Sequence, residues 1–249
     1  MPKMKRVVVI GDTHCGHIYG LTPPKYNGKF DDEGLSDQAA SRQRLWDFYA
    51  GALRSLRPID ILIANGDMID GKGPRSGGTE LLTADREKQA EMAVECIVEA
   101  KAKDVYLSYG TSYHSGADED WEQVVANDCG ARKIGSHDWL DVNGLIIDYR
   151  HHTGGSSIPH GRHTRVALER VWNVLWAERG EYPKADVLLR SHVHYFAYCG
   201  GPNWLAMTLP ALQLASKFGT RQPIGIADVG MVWFDVVSKR DYTWHMTQI

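Results

Sequence analysis

The sequence has little cysteine, no internal repeat, no low-complexity tract and no apolar run near the length of a membrane span. Its four cysteines (Cys15, Cys96, Cys129 and Cys199) are widely spaced and form no CxxC pair. They favour the reduced thiols of a cytoplasmic protein over a disulfide framework or a structural zinc site. Apolar runs such as Val7–Ile10 fall far short of the roughly 20 residues that cross a bilayer. Met1–Arg6 is basic, but four apolar residues follow before Gly11-Asp12, so no secretory leader is expected. Charge of one sign is also missing. The net charge is −3 and the isoelectric point about 6.4, which argues against binding a phosphate backbone by bulk electrostatics and leaves room for a local basic patch.

What is present is the composition of a folded globular protein: 249 residues, 43% hydrophobic and 24% charged. A single fold of this size buries roughly 70–75% of its unfolded surface and needs no staple. With no linker composition anywhere, one domain over residues 1–249 is the reading. The most informative count is 11 histidines, several beside glycines.

Short apolar strands alternate with amphipathic helices. Strands are expected at Arg6–Ile10, Ile59–Ala64, Asp104–Ser108, Asp186–Arg190, Tyr195–Cys199, Met231–Val237 and Tyr242–Met246. Helices are expected at Asp37–Leu56, Ala84–Ala102, Asp118–Asn127 and Thr164–Glu178. Asn143-Gly144 joins Trp139–Val142 to Leu145–His151 as a hairpin. On the last helix, Leu168, Trp172, Leu175 and Trp176 share one side at core spacing, so packing is preferred to base stacking for the two tryptophans. Trp204, in a Gly-Pro-Asn-rich stretch, is the aromatic residue to suspect of contacting a substrate. The loops Gly16–Ser36 and Gly71–Thr83 are long for a compact domain. Alternation early and hairpins late imply a mixed α/β layered sandwich, two sheets with helices outside.

Five of the apolar segments end in metal-ligating residue types. They read VVVIGDTH (Val7–His14), ILIANGDMID (Ile61–Asp70), VYLSYGTSYH (Val105–His114), LIIDYRHH (Leu145–His152) and VLLRSHVH (Val187–His194). Sites in open α/β sheets assemble at the carboxyl ends of strands. A mixture of carboxylate oxygen and imidazole nitrogen suits Mn, Fe, Zn or Ni better than Ca or Mg alone.

Gly11-Asp12-Thr13-His14, Gly66-Asp67-Met68-Ile69-Asp70 and Ser191-His192-Val193-His194 resemble, in order and spacing, the GDxH, GDxxD and GHxH motifs of calcineurin-like metallophosphoesterases. Gly110–Glu122, His151–Arg165, Arg190–His194 and Pro210–Leu214 are also similar to segments of uncharacterised phage and prophage phosphoesterases. The resemblance implies a four-layer αββα sandwich forming one catalytic domain, with two divalent ions, Mn²⁺ first and Fe, Zn or Ni as alternatives. Carried over by position, Asp12, His14 and His194 hold one ion, Asp67 bridges, and His192 with His151 or His152 holds the second. His152 is preferred because Thr153-Gly154 follows it as a small residue does in the family.

The third motif departs from the family. Where the family has Gly-Asn-His, this chain has Gly110-Thr111-Ser112-Tyr113-His114. Thr111 or Ser112 replaces the missing Asn as a metal or substrate contact, or His114 itself becomes a ligand. His114 is otherwise the first candidate for catalytic acid or phosphate contact, and Asp70 the carboxylate that orients a ligand. The segment His160-Gly161-Arg162-His163-Thr164-Arg165, at a helix start, could contact phosphate through His160, Arg162 and His163.

The implied activity is hydrolysis of a phosphate ester in the cytoplasm (the host's, for a phage-encoded chain), first a phosphodiester of DNA or a nucleotide. The alternatives are a phosphomonoesterase acting on phosphoprotein or nucleotide, and a metal-stabilised binding module that has lost the chemistry. The acidic net charge and the absence of a DNA-capping domain in the about 55 residues after His194 weigh against a nuclease. No membrane partner is expected, and the oligomeric state is left open.

Overall fold

The computed structural model describes residues 3–28, 36–73, 77–115, 120–214 and 227–249. The chain builds two mixed sheets packed face to face, each covered on its outer side by helix. The first sheet runs in the order β11-β10-β1-β2-β3-β4, with β1 Lys5–Ile10, β2 Ile61–Asn65, β3 Asp104–Ser108, β4 Lys133–Gly135, β10 Gly230–Ser238 and β11 Asp241–Gln248. Strands β1 to β4 are parallel, and β10 returns antiparallel to β1. The second sheet runs β5-β6-β7-β9-β8, with β5 Asp138–Val142, β6 Leu145–Tyr149, β7 Val187–Arg190, β8 Ala197–Gly201 and β9 Trp204–Thr208. Strands β6, β7 and β9 are parallel, flanked by the antiparallel β5 and β8.

Alternation along each strand sorts the core into layers, as a two-residue side-chain period requires. Val7, Val9, Ile61, Ile63, Ile147, Val187, Leu189, Met207 and Phe234 meet between the sheets. The opposite face of the first sheet (Val8, Ile10, Leu62, Leu107) packs against α1 Ser36–Leu56, α2 Arg86–Glu99 and α4 Trp121–Asp128, α3 being the single turn Ser112–Ser115 that follows β3. The outer face of the second sheet packs against α5 Pro159–Glu178 through Val166, Leu188, Ala197 and Ala206. This is the αββα arrangement expected from the sequence.

The differences in detail have local causes. Helix α2 starts at Arg86 because Asp85 caps it, its carboxylate accepting the N–H groups of Glu87 and Lys88. The expected helix Asp118–Asn127 is described from Trp121, with Asp120 as its cap; residues 116–119 lie outside the described residues. Helix α5 begins at Pro159, not Thr164, since Pro at the first turn gives up no hydrogen bond there. Its inward side is Val166, Glu169 and Asn173. Leu168, Trp172 and Leu175 are therefore turned outward, and Trp172 is 52% exposed. The core role expected for Trp172 is overturned. Trp204 heads β9 and sits under the guanidinium of Arg170 at 5.8 Å, tied to α5. The start of the Gly16–Ser36 loop is held by buried Arg42, which donates to the carbonyl of Ile18 at 3.1 Å and to Asn27; residues 29–35 of that loop, and 74–76 of Gly71–Thr83, lie outside the described residues.

Candidate metal centre

The loops after β1, β2, β3, β6 and β7 converge at one edge of the sandwich. The first two interlock: Asp12 N–H donates to the carbonyl of Gly66 and His14 N–H to that of Asp67, both at 3.0 Å. Seven described non-glycine residues have positive φ, and five of them are Asp12 (50°), His14 (43°), Asp67 (51°), His192 (74°) and His194 (53°). Left-handed backbone is costly for residues with a Cβ and is retained where something else over-determines it. Here it turns consecutive candidate ligands back towards one point.

Among the described residues, three overlapping groups have potential ligand atoms within 4.8 Å of one another: Asp12, His14 and His194; His14, Asp67 and His114; Asp67, His151 and His192. Asp12 Oδ1 lies 3.2 Å from Nε2 of His194 and 3.9 Å from Nε2 of both His14 and His151. Asp67 Oδ2 lies 2.9 Å from Nε2 of His151 and 4.0 Å from Nε2 of His114. Asp12 is also fixed by the backbone N–H of His192, which donates to its carboxylate at 3.1 Å, and its carbonyl accepts the N–H of Leu212 at 3.1 Å.

Hydrogen bonds at the far side of three rings decide which nitrogen faces the cluster. Nδ1 of His151 donates to the Asn65 carbonyl at 2.8 Å, Nδ1 of His114 to the Asp70 carbonyl at 2.9 Å, and Nδ1 of His14 to Asp70 Oδ1 at 3.1 Å. In the neutral ring each Nε2 then carries a lone pair directed inward. Nε2 of His151 is buried and makes no hydrogen bond, although Asp67 is close, because the contact lacks hydrogen-bond geometry. A buried basic nitrogen with no hydrogen-bond partner beside two carboxylates fits a divalent cation.

The sequence reading preferred His152 to its neighbour, and the structure brings in His151. His151 shares the inward parity of Ile147 and Tyr149 on β6, whereas His152 is exposed and only its ring face meets His192, at 4.7 Å. In the third motif, Thr111 directs both its N–H (2.7 Å) and its hydroxyl (3.1 Å) to Asp67 Oδ1, so it orients that carboxylate. His114 joins His14 and Asp67. Asp70 lies behind His14, where it orients the ring. His160, Arg162 and His163 belong to none of the three groups; Arg162 stacks 4.3 Å over the Tyr195 ring, and His163 donates to the Tyr198 carbonyl.

Burial resists charging these groups, and their neighbours decide the balance. Burial alone would lower the His151 pKa, yet Asp67 and Asp12 push it up to about 10. For His192 burial and the charge of His151 act together and bring it down to about 4. His114 is lowered by burial and by His14. Asp12 and Asp67 are lowered, since the surrounding imidazoles outweigh their burial.

Sequence reasoning missed three supporting residues. Glu122, wholly buried at the start of α4, accepts the N–H of Met68 at 3.0 Å and the N–H of Gly110, joining the Asp67 loop to the β3 loop. Asn65 bonds Ser108, Ser191 and the Arg150 carbonyl, locking four strand ends together. Gln89 holds both the N–H and the carbonyl of Gly71. Nothing local in the sequence marks Glu122. Asn65 directly precedes Gly66-Asp67, and that position was the available signal.

No protein-family model and no curated protein matches the chain. Solved structures do. Zinc-complexed Vps29 from Entamoeba histolytica aligns over 98% of this chain and 98% of its own, at 12% identity and a TM-score of 0.49. An archaeal phosphodiesterase aligns over 97% and 99%, at 11% identity and 0.49. A predicted phosphoesterase of Streptococcus pneumoniae aligns over 100% and 91%, at 10% identity and 0.44. None of the three is a phage protein. At such identities the function rests on this chain's own site.

Proposed function

We propose that the protein is a metal-dependent phosphoesterase with a dinuclear centre, acting on phosphodiesters of DNA or nucleotides. The observation that carries this reading is the convergence of inward-facing Nε2 atoms on Asp12 and Asp67, with five of the converging residues in left-handed backbone. Asp12, His14 and His194 form one ligand set, and Asp67, His151 and His192 the other, with Asp67 next to both through His14 and His114. Mixed nitrogen and oxygen donors suit Mn²⁺, Fe, Zn or Ni. Divalent ions held there supply positive charge for the phosphoryl oxygens and lower the pKa of water towards ~7.

The chain's own residues do the rest. Asp70 and the Asn65 carbonyl hold Nδ1 of His14 and of His151, so Nε2 of each ring is the nitrogen turned to the centre, where a bound cation would take the place of its proton. Thr111 and Glu122 hold the Asp67 carboxylate and its loop in place. His114, which burial and then His14 keep below the ordinary histidine pKa, groups with His14 and Asp67 and would serve as a neutral donor to the centre in place of the missing Asn. Arg162, 4.3 Å over the ring of Tyr195, which directly follows His194, would contact a neighbouring phosphate of a polynucleotide substrate.

The test compares hydrolysis of bis-p-nitrophenyl phosphate and p-nitrophenyl phosphate with Mn²⁺ added, and Asp67→Asn as the blank. Turnover of the diester, lost in the variant, is the expected result. Preference for the monoester would replace the diesterase with a phosphatase. Cleavage of neither, with metal bound, would leave a metal-stabilised binding module.

A further inference from the structure

On the outer face of the second sheet, α5 covers β8 and β9, and beside it a cavity of about 460 Å³ opens over β6 and β7. That volume lies within the range of small-molecule pockets. None of its lining residues belongs to the imidazole–carboxylate cluster, so the inference does not depend on the function proposed above.

Its floor is an ionic network. Arg190, 3% exposed, donates through Nε to Glu169 Oε2 at 2.8 Å and through Nη1 to Asp148 Oδ1 at 2.6 Å. Arg150 Nη2 donates to the same Glu169 oxygen at 2.7 Å, and His137 Nε2 to Asp148 Oδ1 at 2.9 Å. A sheet face that only had to pack under a helix would be served as well by aliphatic side chains. The two guanidiniums and two carboxylates cancel in charge, but not in hydrogen-bonding capacity. Nη2 of Arg190 and Nη1 of Arg150 have no hydrogen-bond partner among the described residues. The floor is therefore electrically balanced and rich in donors, while Glu181, the further carboxylate of the lining, is solvent-exposed and so screened.

The walls are aromatic. Trp172 and Trp176 stack on α5 at 6.0 Å and 20°, and Tyr182 meets Trp176 edge-on at 6.4 Å and lies 4.7 Å from Trp139. Trp172 is 52% and Tyr182 42% exposed. Guanidiniums at the floor disfavour a cation, despite the aromatic walls. Carboxylates already paired to both arginines disfavour a bare anion. A flat, uncharged ring with acceptor atoms along one edge satisfies walls and floor together. We propose that this cavity is a second ligand site, which takes the base of a nucleoside or nucleotide.

The test is calorimetric titration of the full chain with adenosine, guanosine, cytidine and uridine, which carry no phosphate for the metal cluster. At least one nucleoside should bind, with affinity lowered roughly tenfold or more in Trp172→Ala or Tyr182→Ala, the scale of a lost base–aromatic stack. Both side chains are partly exposed, so a thermal melt matching the parent is expected for these variants. Asp67→Asn should bind nucleoside like the parent. The proposal is overturned if no nucleoside binds at millimolar concentration, if both aromatic variants bind normally, if Asp67→Asn abolishes binding, or if tetramethylammonium binds in place of the nucleosides.

Discussion

Nε2 of His14 and Nε2 of His194 face each other at 3.1 Å, although 180 positions separate them in sequence. Two lone pairs at that distance repel unless a proton or a cation lies between them. Asp12, 3.2 Å from the same nitrogen of His194, supplies the negative charge that favours either. The pairing is paid for locally, since both histidines hold positive φ, and it ties the first strand loop to the seventh.

The choice between adjacent histidines is directly testable. Removing groups that merely orient a ligand costs roughly 10–100-fold in metal affinity, so His151→Ala should cost at least about 100-fold. His152→Ala, at an exposed position, should stay within roughly threefold. Metal titration by calorimetry on both variants checks this, and equal losses would refute the assignment of His151.

Gly110 is required by space. A Cβ there would lie 2.2 Å from Asp67 Oδ1 and 2.3 Å from the Asp67 nitrogen. Gly110→Ala should displace the Asp67 carboxylate, and a shift of about 1 Å lowers turnover by about 100-fold. Steady-state assays of a variant that melts near the parent temperature would show it.

Arg190 is buried between Asp148 and Glu169. Arg190→Ala leaves two carboxylates without their buried partner and should destabilise the fold by about 3–5 kcal/mol in urea titrations. Burial opposes ionisation of Asp148, yet Arg190 and His137 hold its pKa below the ordinary value. A depressed carboxylate stabilises the fold above its unfolded pKa of about 3.9 and loses that contribution as pH falls through the folded value. Acid titration of the parent should therefore show a stability loss below pH ~4 that is smaller in Asp148→Asn.

Glu122 has the opposite sign. Burial, and then the charge of Asp67, push its pKa up to about 7. Between its unfolded pKa of about 4.3 and about 7 the folded chain holds the extra proton, so stability falls as pH rises through that window. Denaturant midpoints of the chelator-treated protein should show this slope, and Glu122→Gln should flatten it. An unchanged slope in the variant would remove Glu122 as its source.

Much of the candidate site is legible in the sequence because residue types able to ligate a metal fall where a strand's two-residue period stops. Asp12, His14, Asp67, His192 and His194 all follow β1, β2 or β7 within a few residues. His151 could have been reached by extending the parity of Ile147 and Tyr149, which points it between the sheets; the small residues after His152 were the weaker guide. Apolar spacing selects the wrong side of α5 because the inward face carries Glu169 and Asn173, whose partners Arg190, Arg150 and Ala185 lie on other elements. Periodicity of apolar residues cannot see a helix seated through polar contacts. Strand β9 is hidden for a related reason: the turn residues Gly201-Pro202-Asn203 run directly into its first residue, Trp204.

The most direct test of the central claim is the metal content of the purified chain after reconstitution with Mn²⁺, measured by plasma mass spectrometry beside Asp67→Asn and His151→Ala. The account predicts two ions per chain in the parent and a loss of bound metal in both variants. A parent that retains no ion, or variants that retain as much as the parent, would contradict it.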